Sequence, residues 1–320
     1  PSQPFLSLPS LTAFLRQEGV EVVQRDINIE FLEILMTWEK VKGLFGRIED
    51  EIKNIEKNGG DRTGEKYARM KQAVEWLPQL TDWIENAKKS FRGPNFYSIE
   101  SYMESMKVME RWIELITSSY HPSMITTVDN EMRYSVYSSK DIFSALKDRE
   151  QNLFLDIFND HIISSVLSDN PGLVGISITS TSQVIPGLTL AHLIKKERPD
   201  IHITVGGSVF TKLEDNLKKN ENLFSIVDSF VLFEGEHALL ALIDELSGKK
   251  DLKKVPNLVY KENGKTVINE ESFFIEDLNK LPTPDYDGLP LDLYHTPELV
   301  LPVQTSRGCY WGKCAFCNLI

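Results

Sequence analysis

All three cysteines of this 320-residue chain, Cys309, Cys314 and Cys317, fall within its last twelve residues. Disulfide frameworks use an even number of cysteines spread along the chain. Three thiols within nine positions suit a soft metal centre instead. The stretch reads Thr305-Ser306-Arg307-Gly308-Cys309-Tyr310-Trp311-Gly312-Lys313-Cys314-Ala315-Phe316-Cys317. Three thiolates on one tight loop can hold three corners of a [4Fe–4S] cubane, which leaves the fourth iron open to an incoming molecule. Four residues separate Cys309 from Cys314, the spacing also found in plant-type [2Fe–2S] ferredoxins, where another cysteine follows downstream. A zinc site completed by a later ligand is the third option.

A second group of candidates lies where strands should end. Open parallel sheets bind ligands at the carboxyl ends of their strands. Three such ends are small, polar or glycine-rich: Thr179-Ser180-Thr181-Ser182-Gln183, Gly206-Gly207-Ser208-Val209 and Glu234-Gly235-Glu236. Glycines let a bulky ligand approach the backbone, and hydroxyls and an amide can hydrogen-bond its polar groups.

The elements that must position these residues follow from periodicity. Apolar residues at Leu8, Leu11, Ala13, Phe14 and Leu15 predict a helix closed by Gly19, and Val20–Arg25 predicts a strand. Between residues 27 and 167 the pattern is helical, over roughly 29–57, 65–90, 98–119 and 140–167, with Pro78 expected to kink the second stretch. Trp38, Trp76, Trp83 and Trp112 are assigned to the core of this helical insertion, and residues 121–138 to a loop that could cover a ligand. From Gly172 strand and helix alternate: strands at Leu173–Thr179, Ile201–Val205 and Phe230–Phe233, and helices at 185–198, 212–219 and 236–246. That alternation implies a parallel sheet with helices on both faces. Asn263-Gly264 sits between two strand-like runs as a hairpin turn. A proline-rich stretch (Pro282, Pro284, Pro290, Pro297) then leads to a last strand, 299–304, ahead of the cysteines.

The net charge of −12 argues against a nucleic-acid partner, since phosphate binding needs clustered Lys and Arg. No apolar run is long enough to span a membrane and no signal peptide opens the chain, so a cytoplasmic protein is expected. The Lys and Glu runs near 49–57 and 248–254 read as solvated faces. Pro1 and the stop just after Cys317 give the expectation that this is a piece of a longer protein.

The Thr-Ser-Arg-Gly lead-in, the cysteine loop with Phe316 before its last cysteine, and the α/β region before them resemble the cobalamin-binding radical S-adenosylmethionine (SAM) enzymes. The spacing between the first two cysteines exceeds that family's commonest one by one residue. The resemblance covers about 1–26 and 168–320 and leaves the helical insertion unexplained. It implies a Rossmann-like, flavodoxin-like cobalamin-binding domain (1–26 and 168–280) with a long all-helical insertion (27–167), a linker (281–298), and the truncated start of a radical SAM (β/α) barrel (299–320). A strand preceding Pro1 would lie between Val20–Arg25 and Leu173–Thr179.

By the same resemblance Cys309, Cys314 and Cys317 would hold a [4Fe–4S] cluster with SAM on the open iron, and Phe316 would lie near the SAM adenine. The three strand-end segments would contact cobalamin. A cobalt-ligating histidine normally belongs to an Asp-x-His-x-x-Gly loop; Asp200-Ile201-His202 is followed by Gly206, one residue too late, and enters a strand. His192 and His237 read as packing or surface residues. The implied enzyme makes a 5′-deoxyadenosyl radical and transfers a methyl group to an unactivated carbon. It would act on a small-molecule or peptide substrate with an external flavodoxin- or ferredoxin-like electron donor. Two other readings stay open: a cobalamin-containing radical enzyme that cyclises or rearranges without methyl transfer, and a non-catalytic α/β module with a structural metal.

Overall fold

The computed structural model describes residues 2–248, 251–269 and 277–315. The chain opens with helix α1 (Ser7–Gln17), which ends at Gly19 in the left-handed region, φ +80°. The next residues, 20–26, form no strand, contrary to expectation. A strand requires a ladder partner, and this segment spends its polar groups elsewhere: Gln24 Nε2 donates to the carbonyls of Asp285 (2.8 Å) and Asp287 (3.0 Å). The Asp26 carboxylate caps the following helix by accepting from Asn28 N at 3.0 Å.

A helical region follows: α2 (Ile27–Leu35), α3 (Trp38–Asn58), α4 (Glu65–Phe91) and α5 (Ile99–Ile116). The first predicted helical stretch is thus two helices, broken at Met36-Thr37, whereas α4 runs through Pro78. A small hairpin, β1 (Met124–Ile125) with β2 (Asn130–Glu131), precedes the short helices α6 (Ser139–Ala145) and α7 (Leu153–Ile157). A π-helical turn over Phe158–Ile162 then runs into α8 (Ile163–Ser168).

The tryptophans divide. Trp112 is fully buried and donates to Leu35 O at 2.7 Å, and Trp38 packs against it, ring centroids 6.2 Å apart. Trp76 and Trp83, expected inside, are 44% and 63% exposed. They stand seven residues apart on one face of α4, and that face turns outward.

The main sheet has the order β3 (Leu173–Ser177), β4 (His202–Gly206), β5 (Ser229–Val231), β6 (Leu258–Glu262), β7 (Lys265–Ile268). Strands β3, β4 and β5 are parallel, as expected of an α/β core; β6 and β7 form the expected hairpin and extend the sheet antiparallel. Among the described residues β3 is an edge strand, and residues 20–26 do not pair with it. Helix α9 (Val184–Glu197) follows β3, and the predicted helix after β4 is two short pieces, α10 (Ser208–Lys212) and α11 (Glu214–Leu217). Helix α12 (Glu236–Ser247) follows β5.

Alternation along the strands sorts the two faces. Ile203, Val205, Phe230 and Val259 join α9 and the helical region in one continuous core. Val231, Leu258 and Tyr260 meet Ala238 and Leu242 of α12 on the other side. Helix α1 packs beside α12, with Phe14 and His237 ring centroids 5.0 Å apart. Phe31 of α2 contacts Phe154 and Phe158 at 4.8 and 6.0 Å, joining the helical region to the helices beneath α9. The expected strand over 299–304 is absent; this stretch is irregular and largely exposed. No described helix is long and apolar enough to cross a membrane.

Candidate functional site

The carboxyl ends of β3, β4 and β5 share one edge of the sheet. After β3, Gln183 Oε1 accepts from Thr179 N (2.8 Å), Ser180 N (3.1 Å) and Thr179 Oγ1 (3.2 Å). Ser180 and Ser182 hydroxyls lie 3.0 Å apart, and Thr181 is exposed. Much of the polarity of this turn therefore holds the turn itself. Asn130 of the small hairpin donates to Ser182 O at 2.7 Å, so the 121–138 segment reaches this edge.

After β4 the two glycines serve different ends. Gly207 has φ +106°, and a Cβ there would lie 2.2 Å from Ile178 O. Its bareness is required by the crossing of two backbones, whatever binds nearby. At Gly206 a Cβ would meet only Val231 O at 3.5 Å, an ordinary contact, so packing alone does not demand glycine there. Ser208 Oγ donates to Thr179 O at 3.1 Å and ties the first two strand ends together, while Val209 is buried in the core.

After β5 comes a residue the sequence reading took only as the end of a strand. Phe233 has φ +58°, a backbone state bulky residues avoid, and its side chain is 45% exposed. Thr211 Oγ1 holds it there by accepting from Phe233 N at 3.0 Å. Beyond it, Gly235 fits beneath α1, where an added Cβ would come 3.2 Å from Leu11 Cδ2.

The segment before the cysteines docks on this same edge. Arg307 binds Glu236 through a short ion pair and reaches Glu234 Oε2 at 3.5 Å. The Arg307 side chain is 17% exposed and that of Glu236 only 4%. Burial works against the Arg307 charge, but Glu236 and Glu234 outweigh it and raise its pKa above the ordinary value. Two residues expected at a ligand thus also face the cysteine segment.

Within the loop, Gly308 and Gly312 adopt φ +77° and +57°. The backbone N–H groups of Gly312 and Trp311 point at Cys309, and they lower its thiol pKa. Stabilising the thiolate favours metal ligation. Cys309 and Cys314 are free and exposed; Cys317 and Phe316 lie outside the described residues. Among the described residues no three His, Cys, Asp or Glu are grouped to hold a metal ion. The donor set nevertheless fits a soft metal: two free thiols on a loop whose amides favour the anion at Cys309, with the third thiol just beyond.

The proline-rich stretch is fastened along its length. Arg16 pairs with Asp285 at 2.7 Å, which holds that carboxyl below the usual range, and Asp285 N donates to Pro9 O at 3.0 Å. The Tyr286 hydroxyl binds Pro302 O. Buried Tyr294 donates to Asp26 at 2.7 Å, and Arg92 reaches Leu293 O at 2.7 Å. His295 stacks on Phe91 at 5.1 Å; burial pushes the imidazole pKa down, with Arg92 and Lys88 adding to it and Glu33 opposing.

Two further histidines are accounted for locally. His202, at the amino end of β4, meets Ser229 Oγ at 2.9 Å and so lies opposite the ligand edge. His192 is pushed down by burial, Lys196 and Lys147.

Residues 139–243 match the B12 binding domain family, a match that spans all three strand ends and supports cobalamin binding. Two curated proteins are similar over about half of the chain. An uncharacterized methyltransferase, PH0819, of Pyrococcus horikoshii is 32% identical over 164 residues, covering 51% of this chain and 35% of that protein. The 4′-phospho-dehydrooxetanocin synthase of Priestia megaterium is 25% identical over 162 residues, covering 49% of this chain and 21% of its own length. The chain therefore spans about a third of the first relative and a fifth of the second.

Proposed function

We propose that this chain belongs to a cobalamin-dependent radical SAM enzyme that transfers a methyl group to an unactivated carbon of a small molecule or peptide. The carboxyl edge of β3, β4 and β5 would seat cobalamin, and Cys309, Cys314 and Cys317 would hold a [4Fe–4S] cluster. When bound, the cluster would supply the electron that cleaves SAM, and the corrin would carry the methyl group. The observation carrying this reading is the ion pairing of Arg307 with Glu236 and Glu234, which docks the cysteine segment on the sheet edge assigned to the corrin. The chain's own residues would then keep two cofactor seats adjacent: Arg307 by its paired charge, Gly308 and Gly312 by turning the loop, and the fastened proline-rich stretch by limiting its travel.

The methyltransferase name of one relative supports methyl transfer, and the synthase name of the other, which mentions no methyl transfer, keeps a second reading in view, a ring-forming or rearranging reaction. The test is anaerobic assembly of the full-length protein with cobalamin, iron and sulfide, followed by SAM cleavage and product analysis. Four irons per chain and label from SAM methyl in the product support the first reading; cleavage with unlabelled product supports the second. Zinc without iron or sulfide would sink both and leave a structural metal module. Replacing any of the three cysteines by Ala should abolish SAM cleavage while leaving cobalamin uptake intact.

A further inference from the structure

We propose that the helical region is the second anchor of the cysteine-bearing segment, with Arg92 as its positioning residue; what that segment carries rests on the reading above, the grip itself does not. The stretch from 291 to 304 is mostly exposed or half-buried, yet Tyr294 and His295 are 1% and 5% exposed. Both are bound by the helical region. The Tyr294 hydroxyl donates to Asp26, the cap of α2, and the His295 ring stacks on Phe91, the last residue of α4, with 15° between the ring planes.

Arg92 closes the grip. Its Nη2 donates to Leu293 O at 2.7 Å and to Glu33 Oε2, on α2, at 2.9 Å, so one guanidinium joins the end of α4, α2 and the stretch leading to the cysteines. The other Glu33 oxygen takes Lys88 Nζ at 2.6 Å, and the Lys88 and Glu33 side chains are only 9% and 16% exposed. Burial opposes the Glu33 charge, but Lys88 and Arg92 outweigh it and hold the carboxyl below its ordinary pKa. Taking such charges out of water is expensive, and apolar packing serves stability as well. What they add is direction, because a guanidinium fixes the angle and distance of its acceptors. Arg307 is held further along on Glu236 and Glu234. The chain between Leu293 and Arg307 is thus pinned at both ends, by the helical region and by the sheet edge, and the helices gain a role apart from packing.

The experiment compares full-length wild type, Arg92→Gln, Lys88→Met and Tyr294→Phe, assembled anaerobically with hydroxocobalamin, iron and sulfide. Hydrogen exchange followed by mass spectrometry reads the grip at the Leu293 and Thr296 amides, which donate to Pro290 O and Tyr294 O. After reduction, pulsed dipolar electron paramagnetic resonance between cob(II)alamin and the cluster reads the spacing of the two seats. In Arg92→Gln exchange at those amides should quicken about tenfold, the scale of one lost charged hydrogen bond, and the distance distribution should widen. Tyr294→Phe keeps the charged cluster and should move both readouts in the same direction by less. Lys88→Met is the control: it breaks the same cluster and should lower the urea midpoint, but the Lys88 ammonium bonds Glu33 and Glu85 rather than the stretch, so both readouts should match wild type. Unchanged exchange in Arg92→Gln, faster exchange with an unchanged distance distribution, or a Lys88→Met that behaves like Arg92→Gln would each overturn the inference alone. A wild type that takes up no cobalamin or no cluster would overturn the underlying reading instead, with the exchange arm still deciding whether the grip exists.

Discussion

The ion pair between Arg307 and Glu236 joins two segments 71 residues apart, and breaking it should be costly in a particular pattern. Both side chains are mostly buried, 17% and 4% exposed. Arg307→Gln would leave the Glu236 carboxylate buried without its counter-charge, which typically costs about 3–5 kcal/mol. Glu236→Gln should cost less, about 1–2 kcal/mol, because Arg307 retains Glu234 at 3.5 Å and stays closer to solvent. The double variant removes both charges together. Its cost should fall short of the sum of the single costs by about 2 kcal/mol, the coupling of a close, partly buried pair. Urea denaturation of the full-length protein, assembled with its metal and analysed as a double-mutant cycle, measures that coupling. Limited trypsin digestion gives an independent view: cleavage at Lys313 should accelerate in Arg307→Gln as the segment loosens. A coupling below about 0.5 kcal/mol, with unchanged digestion, would refute the claim that this pair fastens the cysteine segment to the sheet.

Gly207→Ala should lose several kcal/mol or fail to accumulate as soluble protein, because its Cβ would meet Ile178 O at 2.2 Å with φ at +106°; a urea midpoint near that of wild type would contradict the crossing described. Trp112→Ala should cost about 3–5 kcal/mol, whereas Trp83→Gln should stay within about 0.5 kcal/mol, and thermal melts of the two separate buried from exposed aromatic. The depressed pKa of His295 means that below about pH 6.5 the unfolded chain binds a proton that the folded chain refuses. Stability should therefore fall as pH drops below that point, by at most about 1.4 kcal/mol per unit from this group. His295→Phe should flatten the acid limb of a stability-against-pH curve.

The parallel core and its connecting helices were legible because strands such as Leu173–Ser177 and His202–Gly206 read as apolar runs ending in glycine or hydroxyl residues. Residues 20–26 and 299–304 carried strand composition without forming strands, since a ladder needs a neighbour and composition does not supply one. The outward face of α4 was misjudged for a related reason: periodicity identifies which tryptophans share a face, and only packing decides whether that face is covered. At the site, sequence gives Gly207 a reason in the approach of a ligand, while its closeness to Ile178 is a tertiary fact that adds a reason of its own. Phe233 reads from sequence only as the end of a strand, because an aromatic closing an apolar run looks like strand and a positive φ leaves no mark on residue type. The tie from Arg307 to Glu236 was likewise invisible, as nothing in spacing pairs two charges so far apart.

The unbroken apolar interior running from Val41 and Trp112 to Ile203 and Val205 has a practical corollary. Anyone hoping to excise residues 27–138 to obtain a minimal corrin carrier would uncover Phe154 and Phe158, on which Phe31 now packs, and create a sticky, aggregation-prone surface. A usable miniature must retain those helices or be given a designed polar replacement for the face they cover.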